Sequence, residues 1–432
     1  MKAKLKKVSK KPFIRNVAIV ATGTAAAQII TMGFSPFITR IYGPEAFGVL
    51  GVFLSVIGVI SPIAALSYPI AIVLPKNDED AKGLVRISLY VAGVIATVVG
   101  LFLLLVNEQI VGLLQIETIA SFVYLIPLVI MFSAVLQVAQ QWLIRKKQFK
   151  VKARVASLQA LILNGSKVGF GLFYPFATVL IILSVFGQAL QSFMLIIGLI
   201  KSDAKEVTDT NSTPLKELAK QHRDFPLYRA PQVFLNAVSQ SLPVLMLTSL
   251  FGPASAGFYS LGRRVLSMPT QLIGNSVGDV FYPRIAEAAN NGENLTRMII
   301  KATLALAAVG IIPFGIVMAF GPWLFEFVFG ADWVVAGEYA RWIALWTLCA
   351  FINRPSVRAI PVLNLQDWFL VYEIISLAAR VGALLLGFYL FRSDISAIIL
   401  FSLSGVVLNA FLIFYTIKKS ISFYTRRATN NE

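Results

Sequence analysis

"TRIYGPEAFG", residues Thr39–Gly48, lies between two long apolar runs, and "TSLFGPASAG", Thr248–Gly257, lies between two more. Thr, Gly, Pro and Gly recur at the same four places, with an aromatic residue, Tyr42 or Phe251, ahead of each Gly-Pro. A glycine relaxes the backbone and a proline sets φ at the next helix start, so each stretch reads as a tight turn joining two helices. Two further echoes fall at nearly the same offset, about 210 residues. "LPK" (Leu74–Lys76) returns as "YPR" (Tyr282–Arg284), and "KVG" (Lys167–Gly169) returns as "RVG" (Arg380–Gly382). Aromatic-Tyr follows the last pair in each case, as Phe173-Tyr174 and Phe388-Tyr389. One Gly-Pro after an apolar run is a common stop. Three echoes in order point to a duplicated unit.

The 432 residues are 57% hydrophobic and 14% charged, with a mean hydropathy of +0.76. Soluble domains are nearer half apolar and a quarter charged, so this is the composition of a membrane protein. The run Val49–Leu74 is long enough to cross roughly 30 Å of hydrocarbon. The basic N-terminus has no clean small-residue cleavage site and reads as leading into a first membrane helix rather than a signal peptide. A single cysteine, Cys349, excludes an intrachain disulfide and a cysteine-based metal cluster, and the lone histidine, His222, falls in a polar loop. No hydrolytic triad, Walker loop, Rossmann glycine set or HExxH is present. The expectation is therefore a protein with no catalytic residues, no metal and no cofactor, and not an enzyme.

Twelve apolar segments are predicted, at 14–38, 47–73, 85–106, 119–143, 155–174, 176–200, 231–251, 257–282, 298–320, 338–361, 369–391 and 396–416. They lack the period-two alternation of barrel strands. Lys and Arg crowd the connections on one side of the membrane, while the other side keeps only Arg40 and Arg392. By the positive-inside rule both termini are cytoplasmic, and the net charge of +17 is a topological device, not a nucleic-acid footprint. The basic side also suits anionic lipid headgroups. The longest connection, Lys201–Pro231, reads as a linker, with "PLKELAKQ" as a short surface helix. "DED" (Asp78–Asp80) reads as part of a solvated loop. The aromatic-rich 321–337 reads as an interfacial exterior loop.

The fold expected is all-α and integral to the membrane: twelve transmembrane helices as two six-helix bundles. Residues 1–200 form one bundle, 201–230 the linker and 231–432 the other. An even number of spans per half makes this a parallel repeat, the architecture of alternating-access carriers. Pro36, Pro62, Pro69 and Pro269 permit bending, and "GSKVG" (Gly165–Gly169) and "GNSVG" (Gly274–Gly278) permit close helix approach.

A charge at the bilayer centre costs roughly 2.5–3.5 kcal/mol, so intramembrane ions are site candidates. Lys167 and Arg380, counterparts in the repeat, are read as sitting near mid-span, where they would grip one multivalent anion between them. Arg263 and Arg264 point ~100° apart and do not both face one cavity squarely. Arg40, Arg341 and Arg354 complete the set of candidate headgroup cations. Glu373 and Asp279 are the candidates for ion coupling. Glu373 is also a possible counter-charge for Arg380, though seven residues put the two ~10 Å apart along the axis.

"HRDFPLYRAPQVFLNAVSQSLPVLMLTSLFGPASAGFYSLGRRVLSMP" (His222–Pro269), with "GDVFYPRIAE" and "TRIYGPEAFGVLGVF", resembles the Wzx-type polysaccharide flippases of the multidrug/oligosaccharidyl-lipid/polysaccharide exporter superfamily. The resemblance spans nearly the whole chain. It implies a MATE-like pair of V-shaped bundles in the bacterial inner membrane and a central cavity between helices 1, 2, 7 and 8. It further implies coupling to an H+ or Na+ gradient. The cargo implied is undecaprenyl-diphosphate-linked oligosaccharide, moved to the periplasmic leaflet, with a polysaccharide polymerase as partner. Ending after twelve spans, the chain fits the oligosaccharide branch rather than the lipid II branch. The rivals are an organic-cation antiporter of the same superfamily, which would want acids in helices 1 and 2, and a polysaccharide polymerase, which would want a long periplasmic loop.

Overall fold

The computed structural model describes residues 12–114, 117–202, 213–270 and 275–429, nearly all of them helical. The chain divides into two compact units, the first running to Ser249 and the second starting at Leu250. Eight of the described helices are long and apolar enough to cross a membrane. This is the structure of a multi-pass, all-α membrane protein.

The first unit begins with α1 (Pro12–Ile60), two helices joined at a kink where Gly43 takes φ 70°, ψ 173°. That conformation is open essentially to glycine alone. A Cβ at Gly43 would meet nothing within 4 Å, so the backbone and not a lack of room demands glycine there. Past Ile60 the second predicted span does not continue as one helix. A 3-10 turn (Ser61–Ile63) leads to Leu66 and Ser67 at φ 47° and 61°, then to the short α2 (Tyr68–Ala71). Pro62 and Pro69 remove helix hydrogen bonds here. Polar side chains hold the break: Gln137 donates to the Ser61 carbonyl at 2.8 Å, Ser61 and Ser133 hydroxyls share a 2.8 Å bond, and Gln188 donates to Ser133.

α3 (Asp78–Leu114), α4 (Ile126–Arg145), α5 (Phe149–Gly171) and α6 (Ala177–Ser202) complete the wall of this unit. α1 and α5 approach so closely that a Cβ on Gly23 would collide with Ala153. The "DED" residues are partnered rather than merely solvated. Arg145 pairs with Asp78 at 2.8 Å and donates to the carbonyls of Ile72, Pro75 and Asn77, while Lys146 takes the other Asp78 oxygen and Glu79 pairs with Lys82. Asp80 accepts from the Thr213 backbone at 2.9 Å. The linker helix, α7 (Leu215–Gln221), docks by burying Leu218 among Tyr68, Ile72, Leu84 and Trp142. A π-turn (Phe225–Arg229) then opens α8 (Ala230–Phe251).

The second unit starts at the other corner, where Gly252 takes φ 91°, ψ 171°, again with open space at its Cβ position. It contains α9 (Pro253–Pro269), α10 (Asn275–Asn290), α11 (Leu295–Phe329), α12 (Val334–Ile352), α13 (Arg354–Ala359), α14 (Gln366–Leu386) and α15 (Asp394–Thr429). α11 and α12 touch backbone to backbone, since a Cβ on Gly337 would lie 2.5 Å from the Gly321 carbonyl oxygen. Stretch 321–337 is therefore helical on both sides of a short turn, not an exterior loop. Phe325, Phe329 and Trp333 are core residues, while Trp323 and Phe327 are exposed. At the end where "YPR" sits, Arg284 forks onto Glu293 at 2.6 and 3.0 Å, a hydrogen bond that holds the exposed Glu293 carboxyl below the usual carboxylate range.

Three predicted spans are missing from the eight strongly apolar helices: α5, α9 with α10, and α12 with α13. Lys167, the Arg263-Arg264 pair, and Arg341 with Arg354 lie on them.

Candidate functional site

The clearest polar feature is on α9. Tyr259, Leu261 and Leu266 are buried, and α9 packs against α12. Ser260, Arg264 and Ser267 recur at i, i+4 and i+7 and so line up on one stripe of the helix. Arg264 is exposed, and its guanidinium has no hydrogen-bond or ion-pair partner among the described residues. Ser267 donates to the Arg264 carbonyl at 2.8 Å, and Ser260 Oγ is buried without a partner. A lipid-facing stripe would be apolar; this one suits a polar ligand of negative charge. Its neighbour Arg263 turns the other way, leaning on the Tyr259 ring with its carbon 6.0 Å from the centroid and Nη1 3.4 Å from the phenol oxygen. The two arginines thus divide as their helical angle requires.

The other candidates sort by their partners. Arg341 is tied into the second unit, donating from Nε to the Met318 carbonyl at 3.0 Å and pairing with Glu338 at 3.4 Å. Arg354 is half-buried at the start of α13, within electrostatic reach of Arg358. Arg40 is exposed one turn before the Gly43 kink. Asp279 belongs to α10, and its side chain lies outside the described residues.

Lys167 and Arg380 lie at different distances from the ends of their own helices. α5 ends at Gly171, which leaves Lys167 one turn, ~6 Å, from that end. α14 runs to Leu386 and continues as a π-turn to Phe391, which leaves Arg380 ~16 Å from its corresponding end. Lys167 is half-buried, and its carbonyl accepts a 2.8 Å bond from the Tyr42 hydroxyl. Arg380 lies over the Trp346 ring, 5.8 Å from its centroid, with Nε buried and unpartnered. Glu373 is exposed and within electrostatic reach of Arg380, without an ion pair between them.

The reading of charges by depth alone missed the serines that flank Arg264. Their i, i+4, i+7 spacing was available in the sequence as a break in the apolar pattern of that span. It also missed the Arg145 clamp, whose acceptors are mostly backbone carbonyls and carry no residue-type signal.

A model of the family described as "Polysaccharide biosynthesis protein" matches residues 37–338. Succinoglycan biosynthesis transport protein ExoT of Rhizobium meliloti (strain 1021) is 22% identical over 353 residues, which cover 78% of this chain and 67% of that protein. Among solved structures, an inward-facing multidrug resistance MATE family transporter of the MOP superfamily superposes with a TM-score of 0.72 at 12% identity, covering 93% of this chain and 98% of its own. The lipid II flippase MurJ in an inward closed conformation gives 0.70 at 14% identity, covering 94% and 90%. At these identities the two structures speak for the fold.

Proposed function

The chain belongs to the polysaccharide biosynthesis protein family, and we propose that it is a flippase for undecaprenyl-diphosphate-linked oligosaccharide. It moves this lipid from the cytoplasmic to the periplasmic leaflet of a bacterial inner membrane by alternating access. In this reading twelve spans form two six-helix bundles related as a parallel repeat, 1–200 and 231–432, with both termini in the cytoplasm. ExoT, named for transport in succinoglycan biosynthesis, and MurJ, named for flipping lipid II, support a lipid-linked saccharide as the cargo class.

One observation carries the assignment: Arg264 is exposed on α9, between serines and without an acidic partner among the described residues. A diphosphate supplies the missing charge and accepts hydrogen bonds from a planar fork. Lys167 and Arg380, counterparts in the repeat, are further cations for the diphosphate, and Arg40 and Arg354 receive the headgroup near the two ends. Arg263 is occupied by Tyr259 of its own helix, and Arg341 ties two helices of the second bundle together through the Met318 carbonyl. Glu373 and Asp279 are the acids through which an H+ or Na+ gradient is coupled. With the cytoplasm negative, an outward-moving anion gains ~2.3 kcal/mol per charge per 100 mV. A polymerase then takes the delivered repeat unit.

The test is flipping in proteoliposomes. Arg264→Gln should slow transport by about a hundredfold, as the loss of a charge-assisted hydrogen bond worth ~3 kcal/mol predicts, with folded protein retained. Flipping at the wild-type rate in that variant would remove the cation from the mechanism.

A further inference from the structure

Helix α8 changes character at Ser241. Towards Phe251, Ser241, Val244, Leu247 and Thr248 are buried, and a Cβ on Gly58 would lie 3.5 Å from Ser241 Oγ. Towards Ala230 the helix is open: Gln232, Leu235, Asn236 and Gln240 are exposed, as is Tyr228 in the preceding π-turn, at 72%. Tyr228, Gln232, Asn236 and Gln240 follow one another every four residues and share one stripe. Arg229 Nη1 donates to Gln232 Oε1 at 2.8 Å, which fixes that amide, and the Asn236 side chain has no hydrogen bond among the described residues.

Depth makes this stripe unusual. Measured from Phe251, Asn236 is ~22 Å and Gln240 ~16 Å along the helix, inside the hydrocarbon thickness of ~30 Å. An amide left without a partner in hydrocarbon costs roughly 2–7 kcal/mol, so the stripe faces water or a polar ligand rather than acyl chains. Its chemistry differs from that of α9. Carboxamides carry no charge, and each both donates and accepts, which matches hydroxyl groups rather than phosphate. Tyr228 adds an aromatic face with a polar tip.

We propose that Tyr228, Gln232, Asn236 and Gln240 form the surface on which the glycan of the lipid-linked substrate is recognised. This rests on the flippase reading but assigns sugar selection to a helix with different chemistry from the one that holds charge. A site built to bond hydroxyls discriminates strongly, because polar groups covered by a cargo that lacks hydroxyls lose water and gain no partner.

The experiment uses the full chain in proteoliposomes with two probes, undecaprenyl diphosphate and the undecaprenyl-diphosphate-linked oligosaccharide extracted from cells that make the protein. Gln232→Ala and Asn236→Ala should each cut the preference for the glycan-bearing probe by about tenfold while movement of the bare diphosphate is unchanged. Arg264→Gln should lower both. An unchanged ratio in the amide variants overturns the assignment. Should the wild type move neither probe, the flippase reading fails by itself. The stripe is then tested by binding: the glycan-bearing probe, and not the bare one, should protect Asn236→Cys from a maleimide at least fivefold, and no protection ends the proposal.

Discussion

Residues 44–60 and α9 leave the same corner and are put to different uses. Each is preceded by a glycine at positive φ with ψ near 170° and opens with a proline. Superimposed on those corners, Gly51, Ser55 and Gly58 fall where Ser260, Arg264 and Ser267 stand in the second unit. Ser55 is 9% exposed and Arg264 is open. In the first unit the stripe is small and admits a neighbour, with Gly58 lying against Ser241 of α8. In the second it carries a charge that stays accessible to solvent. A shared turn therefore says how a pair of helices is joined and nothing about what their faces do. The local backbone requirement is met by two residues, while the faces are set by every third or fourth residue after them.

The hardest test of that contrast exchanges the two stripe residues. Ser55→Arg places an unpaired cation in a packed seam and should cost about 3–5 kcal/mol, enough to lose folded protein on a thermal melt in detergent. Arg264→Ser should leave the stability within about 0.5 kcal/mol of wild type while transport fails. Equal loss of stability in both would mean that Arg264 is structural after all. Next in size are the corners themselves. Gly43→Ala and Gly252→Ala should each cost about 1–3 kcal/mol, and similarly, because both residues occupy the same glycine-only region. A large difference between them would show that the corners are alike in sequence only.

The aromatic residue ahead of each glycine gives a smaller effect. Tyr42 donates to the Lys167 carbonyl and its ring fills the niche at Gly171, whereas Phe251 meets Phe388 edge-on at 5.4 Å. Tyr42→Phe should lose about 1 kcal/mol, and Phe251→Tyr should gain nothing, since only the first corner has a carbonyl waiting. The smallest effect concerns the linker. Burial holds the His222 imidazole below its ordinary value, against the pull of Asp80. The unfolded linker binds the proton more readily, so docking of α7 should weaken as pH falls below about 6.5 and be unaffected above it. Hydrogen exchange across 213–222 reads this directly, and protection that is flat from pH 5 to 8 would mean that His222 is too solvated to matter.

Much of the fold was readable in advance for identifiable reasons. Gly-Pro corners, apolar runs and basic connections are one-dimensional signals, each produced by neighbours in sequence. The break at Ser61–Ser67 was not readable. Pro62 and Pro69 only permit it, and the side chains that hold it, Gln137, Ser133 and Gln188, come from two other helices. The stretch 321–337 misled for a related reason. Its aromatics suit an interface equally well, and it is the glycine contact between Gly321 and Gly337 that draws Phe325, Phe329 and Trp333 into the core. The candidate site divides in the same way. Which cations lie on helices follows from the sequence. That Arg341 and Arg263 are engaged by protein while Arg264 has no partner among the described residues depends on neighbours the sequence does not name.

By itself the sequence determined that this chain is a multi-pass helical membrane protein with two like corners, and which helices carry charge. Hydrocarbon leaves a backbone so few options that composition and spacing suffice for that much. Tertiary structure alone decided which polar groups find no protein partner among the described residues, Arg264 on one helix and Asn236 on another being examples. Satisfaction of a polar group is a property of what surrounds it in space, and those surroundings are assembled from residues far apart along the chain.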